Sequence, residues 1–196
     1  VIACIVLAAG ASTRLGRPKQ LLSLGGRPLL AWVLAAARGA TFNQMVLVLG
    51  HDAELIRGAL DLSGFDVVVN ERYAEGMSLS LRLGLETVRS AMAATVVMVG
   101  DQPFIESAHL VALKETWENT GESMIATDFG AYRGPPMMLA RSVWPLIDEI
   151  RGDQGARALL RVRPGSVLAV EVRDSRAALD VDTEEAYATA RELVGG

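Results

Sequence analysis

A single α/β domain in three layers, with a mainly parallel sheet flanked by helices, is predicted by three features of this sequence. Short β-rich runs alternate with longer stretches of helical period from one end to the other. Most of the runs are continuously apolar instead of alternating, which is how a sheet buried on both faces reads. The stretches between them are long enough for the crossovers that parallel strands require. No repeat, low-complexity tract or composition shift marks a linker, so residues 1–196 read as one unit.

The first run, IACIVLA (2–8), is a strand. With Ala9-Gly10-Ala11 behind it, it also has the look of a secretory signal, but the sequence continues as folded structure without a break. A glycine-rich turn with Arg14, Arg17 and Lys19 follows. Pro28 suits the first turn of a helix that passes Trp32 and ends near Arg38. QMVLVLG (44–50) is the second strand, and Asp52 caps the helix after it. DVVVN (66–70) is a strand, followed by a helix from about Ser78 to Met92. TVVMVG (95–100) precedes a helix from about Glu106 to Asn119, and SMIATD (123–128) is the next strand. DFGAYRGPP (128–136) reads as irregular. Helices are expected from about Ala140 to Ile150 and from Asp153 to Val162, then a strand SVLAVEV (166–172) and a closing helix from Thr183 to Leu193.

Hydrophobic residues make up 51% and charged residues 21%, with a net charge of −4, a globular and mildly acidic composition. Neither nucleic acid nor an anionic membrane is favoured as a partner. Cys4 is the one cysteine. No intrachain disulfide is possible, which suits a cytoplasmic location.

In an open α/β sheet, ligands bind outside the carboxyl ends of the strands. The turn AAGASTRLGRPK occupies that place. It is neither the nucleotide-hydrolase loop, since five residues separate Gly10 from Gly16 and Arg17-Pro18 follows, nor GxGxxG. What it offers is small residues whose main-chain amides can crowd an anion, with Arg14 and Lys19 reaching in. A planar guanidinium and a mobile ammonium suit a triphosphate.

Asp101 stands at the exit of TVVMVG, after Gly100, which lets backbone come close to a ligand. One carboxylate beside phosphates fits a site for Mg²⁺, which binds through one or two carboxylates plus substrate oxygens. LDVDT adds Asp180 and Asp182, two apart and facing one way along an extended chain. Asp182 suits a metal role, and Asp182 or Thr183 suits capping of the last helix, two roles that can coexist. After DVVVN, Asn70 can present donors and an acceptor to a base edge, and Gly76, Ser78 and Ser80 make a small, hydroxyl-rich helix entry. Asp153 reads as a helix cap with Arg157 as its i,i+4 partner. His51 and His109 have no partner pattern, and the role of Arg133 stays open.

LAAGASTRLGRPKQLL is similar to the signature loop of enzymes that activate a phosphorylated acceptor with an NTP. NERYAEGMSLSLRLGL (70–85), VMVGDQPF (97–104), RGPPMML (133–139), RGDQGARALL (151–160) and LDVDT (179–183) follow in the order of the molybdenum-cofactor nucleotidyltransferase family, which the chain resembles. The resemblance implies a Rossmann-like fold of the nucleotide-diphospho-sugar transferase kind. It implies nucleotide binding by Leu7, Ala8, Ala9, Gly10, Arg14, Lys19, Asn70, Ser78, Ser80 and Gly100. It implies catalysis by Arg14, Lys19 and Asp101, with Mg²⁺ on Asp101 and Asp182. The expected donor is CTP, the acceptor molybdopterin or its metal-loaded form, and the receiver of the product a molybdenum hydroxylase. A guanylyl- or sugar-phosphate nucleotidyltransferase and a non-catalytic cofactor carrier are the alternatives.

Overall fold

The computed structural model describes residues 1–162 and 167–195. Nine strands are formed: β1 (Ile2–Ala8), β2 (Ser23–Leu24), β3 (Arg27–Pro28), β4 (Gln44–Leu49), β5 (Asp66–Val69), β6 (Ala94–Val99), β7 (Met124–Asp128), β8 (Arg133–Ala140) and β9 (Val167–Glu171). Six α-helices accompany them: α1 (Leu29–Gly39), α2 (Ala53–Ala59), α3 (Met77–Thr87), α4 (Ser107–Thr120), α5 (Leu159–Val162) and α6 (Glu184–Gly195). Seven strands make one sheet in the order β5-β4-β1-β6-β8-β7-β9, while β2 and β3 form a separate hairpin.

Strands β5, β4, β1 and β6 are mutually parallel. Alternation along β1 sorts the layers. Ile2, Cys4, Val6 and Ala8 pack with α1, α2 and α4, whereas Ala3, Ile5 and Leu7 pack with α3 and the segment around Val143 and Ala158. Every residue of β1 is buried, which accounts for its unbroken apolar sequence. The opening run is therefore an interior strand of the sheet, between β4 and β6. A third apolar cluster (Leu15, Leu22, Leu24, Leu29, Phe104, Val181 and Ala190) ties the first turn and the hairpin to α6.

The expected strands recur within a residue at each end, with Ser166 outside the described residues. The stretch read as irregular differs. Residues 133–140 are β8, antiparallel to both β6 and β7. Its prolines are tolerated because the ladder to β7 jumps from Thr127–Gly134 to Ala126–Met137, leaving Pro135 and Pro136 in a bulge that asks for no N–H. Residues 141–149 form 3₁₀ turns around Pro145 instead of an α-helix. The helix expected to reach Met92 stops at Thr87. Buried Gln44 ends it, donating to the Thr87 carbonyl and accepting from the Arg89 amide. From 153 to 162 there is a loop, a 3₁₀ turn at Ala156–Ala158 and the single turn α5.

Candidate active site

Strands β1 and β6 are neighbours in register, Leu7 opposite Val99, so their carboxyl ends open side by side. The Gly100 amide donates to the Leu7 carbonyl at 2.8 Å. A Cβ on Gly100 would lie 2.9 Å from the Ala8 Cβ, so the two exits approach this closely only with glycine there. Beyond β1 the chain coils on Ser12, a non-glycine residue in the left-handed region at φ 52°. The Ser12 carbonyl accepts from the amides of Leu15 and Gly16, and its hydroxyl accepts from the Lys19 amide. This folds the turn back so that Lys19 re-enters the cleft.

Four side chains then meet. The Lys19 ammonium donates to Asp101 Oδ2 at 2.6 Å and also to Asp182, and Arg14 donates to the other oxygen of Asp182 at 2.9 Å. Backbone aligns the two acids, because the Val181 amide donates to the Asp101 carbonyl at 2.9 Å. Burial would depress the Lys19 pKa, but the two carboxylates outweigh it and hold it above its ordinary value. Burial would likewise raise Asp182, and Lys19 with Arg14 hold it below the usual carboxylate value instead. Asp180 is raised, by burial first and then by the charge of Asp101, and it accepts from Gln102 at 2.8 Å.

Two adjoining cavities open here. The smaller, about 100 Å³, is lined by Leu7, Ala8, Ala9, Gly10, Lys19, Gln20, Ser80, Gly100 and Asp101, with Tyr73, Met77, Val99 and Asp153 completing it. The larger, about 860 Å³, has Asp101, Asp180 and Asp182 at one side and Tyr132, Arg133, Arg157 and Arg161 among its other walls. Arg14 stands at the rim through Asp182.

Other expected site residues are placed differently. Asn70 is buried, its Nδ2 donating to Ser80 at 2.9 Å and its Oδ1 accepting from the Arg72 amide, so its side chain ties β5 to α3. Neither Asn70 nor Ser78 lines these two cavities. Capping of α6 falls to Thr183, whose hydroxyl accepts from the Ala186 amide, leaving the Asp182 carboxylate to the cleft. Asp153 and Arg157 do not pair as helix neighbours, because no helix runs through them; both line the larger cavity. Asp52 does precede α2, but its carboxylate faces His51. His109, its pKa lowered to about 4 by burial, is held to Thr127 at 2.7 Å.

Gln20 was not anticipated from the sequence. It is 2% exposed, and its Nε2 donates to the carbonyls of Ala8 and Gly10 at 2.9 and 3.2 Å. In planar trans peptides this turns the amides of Ala9 and Ala11 away from Gln20. An isolated glutamine directly after the signature lysine, inside an otherwise apolar PKQLL, was the available signal.

Among the described residues no group of three or more His, Cys, Asp or Glu has metal-binding geometry. The fit to Mg²⁺ rests on Asp101, whose Oδ1 is buried without a hydrogen-bond partner while Asp182 faces it across Lys19. Two hard oxygen donors completed by substrate phosphates suit that ion.

The MobA-like NTP transferase domain matches residues 4–170. The chain belongs to the MobA-like NTP transferase family. It is 30% identical over 188 residues to the nicotine blue oxidoreductase of Paenarthrobacter nicotinovorans, covering 92% of each chain. It is 39% identical over 116 residues to the bifunctional protein GlmU of Kineococcus radiotolerans, covering 57% of this chain but 23% of that one. Among solved structures, Rv0371c of Mycobacterium tuberculosis H37Rv superposes with a TM-score of 0.87 at 35% identity, covering 97% of both chains. A manganese complex of that protein gives 0.84 at 33% identity, covering 97% of this chain and 98% of that one. The fold is shared with the molybdopterin-guanine dinucleotide biosynthesis protein A of Archaeoglobus fulgidus, at a TM-score of 0.75 and 18% identity, covering 98% of each. The family match places the chain in the nucleotidyltransferase superfamily. No helix among the described residues is long and apolar enough to cross a membrane.

Proposed function

We propose that the protein transfers a nucleotidyl group from CTP to the terminal phosphate of molybdopterin or its metal-loaded form. An ionised oxygen of the acceptor phosphate forms a bond to the α-phosphorus. The bond from that phosphorus to the bridging oxygen breaks, and its electron pair leaves with pyrophosphate. The nucleophile is already ionised, so the protein's contribution is positioning and charge stabilisation. Lys19 and Arg14 neutralise the triphosphate and the leaving group, and amides of the Ala8–Ala11 turn approach its oxygens. Asp101, through its unpartnered Oδ1, and Asp182 would hold Mg²⁺, and such an ion would withdraw charge from phosphate oxygens.

One observation carries this reading: residues 14, 19, 101 and 182, far apart in sequence, meet in one ion-paired cluster between the two cavities. That Rv0371c, 33% identical, has been solved in complex with manganese supports a divalent ion for this chain. The first turn puts part of the nucleotide at the smaller cavity and leaves the larger for the acceptor. A cytoplasmic setting, with delivery of the product to a molybdenum hydroxylase, goes with this reading.

Pyrophosphate release measured with four NTPs, against molybdopterin and glucosamine-type sugar phosphates, tests it. The expected result is release with CTP and molybdopterin; none with any NTP contradicts it. The GlmU similarity favours a second reading, a sugar-phosphate acceptor, which the same assay reveals. The name of the full-length relative favours a third, a redox reaction.

A further inference from the structure

The segment RGDQGAR (151–157) does not act as a helix start. It is a loop docked on the beginning of α3, where the Ser78 amide donates to the Gly152 carbonyl at 3.0 Å. The fit is too close for side chains. A Cβ on Gly76 would lie 2.2 Å from the Gly152 carbonyl carbon, and one on Gly155 would lie 2.4 Å from the Met77 sulfur. Docking fixes where the end of the loop lies, and it delivers Arg157 to the wall of the larger cavity.

There the Arg157 guanidinium lies over the Tyr132 ring, 4.9 Å from its centroid. Tyr132 is itself held, stacked on Phe129 at 4.8 Å and donating its hydroxyl to the Ala178 carbonyl at 3.2 Å. Arg133 on the same wall is taken by Asp128 at 2.9 Å. Arg157 and Arg161 have no carboxylate partner among the described residues, although Asp101, Asp180 and Asp182 line the same cavity. A guanidinium with one face spent on an aromatic ring keeps its N–H edge for a planar or oxygen-rich anion.

We infer that Arg157, seated on Tyr132 and joined by Arg161, receives a second anionic group of the acceptor, remote from its reacting phosphate. The acceptor class is then a phosphomonoester with a further anion at its far end, and a neutral sugar phosphate leaves these cations unused. This rests on the reading of the larger cavity as the acceptor site. The test is equilibrium binding of 4-carboxyphenyl phosphate and of phenyl phosphate to the full chain, in Mg²⁺ buffer without nucleotide. The carboxylated probe is expected to bind about tenfold tighter, the worth of one charge-assisted pair. Arg157→Ala, at an exposed position, is expected to remove that preference, so that the two probes bind the variant equally. Equal binding of the two probes by the full chain, or a preference that survives Arg157→Ala, overturns the inference. Failure of the nucleotidyl-transfer reading shows separately, as absent pyrophosphate release with the probe preference intact.

Discussion

Lys19 is asked to do two things by its surroundings. It neutralises Asp101 and Asp182, which otherwise face each other across the cleft, and it lines the smaller cavity beside Ala8, Ala9 and Gly10. Lys19→Met is expected to lower turnover about a hundredfold, the usual loss for one charge-stabilising group, in an assay of pyrophosphate release. The same ion pairs make stability depend on pH. Asp182 is depressed in the fold, so it adds stability above its unfolded value of about 3.9 and loses it as pH falls through the lower folded pKa. Lys19 is raised, so its contribution is whole below its unfolded value of about 10.4 and is lost as pH rises through the higher folded one. Urea melts should therefore show Asp182→Asn losing stability at neutral pH and having a flatter acid limb than the parent. An acid limb of unchanged slope would contradict the pairing. Lys19 and Asp101 were legible in the sequence because each follows or flanks a strand exit, where ligands bind. Asn70 was less so: its amide is spent on Ser80, ten residues further on, and only the docking of β5 against α3 decides that.

At the scale of elements, the loop 151–157 and α3 are one unit. Gly76 has φ 112°, where a side chain is strained, and no room for a Cβ against Gly152. Gly76→Ala is expected to cost on the order of 2 kcal/mol in urea denaturation, from backbone strain and overpacking together. It should also weaken probe binding in the larger cavity, since the loop that carries Arg157 is displaced. A variant as stable as the parent would show that the loop does not dock as described. The parallel strands were readable because burial on both faces leaves an unbroken apolar run. Strand β8 was not, because Gly134-Pro135-Pro136 near the start of RGPPMMLA signals a turn locally. Only the bulge opposite Ala126 and Thr127 makes room for them in a sheet. The i,i+4 spacing of Asp153 and Arg157 suggests a helix for the same kind of reason, but the stretch is a loop docked on α3 followed by a 3₁₀ turn.

On the scale of the whole molecule, the two ends of the chain close the site together. Asp182 precedes α6, and α6 packs through Ala190 into the cluster that holds Leu15, Leu22 and Leu24 behind the first turn. Arg17 pairs with Glu184 at 2.7 Å, and the Tyr187 hydroxyl donates to the Ser23 carbonyl at 2.7 Å. Val181 lies fully buried between Asp180 and Asp182. Val181→Ala should cost about 2 kcal/mol in a denaturant titration, and it should lower turnover as well because both carboxylates move with it. Loss of stability with full turnover would separate the C-terminal segment from the chemistry. This closure was partly visible in LDVDT, whose acids looked available for a metal. The choice of Thr183 over Asp182 as the α6 cap needed the folded chain.

The most direct measurement is Mn²⁺ binding by electron paramagnetic resonance, with CTP present, for the parent chain and for Asp101→Asn. A triphosphate and a cation that meet between Lys19, Asp101 and Asp182 predict a bound ion whose affinity falls at least about tenfold in the variant. Equal affinity in the two proteins would place the ion elsewhere and contradict the site described above.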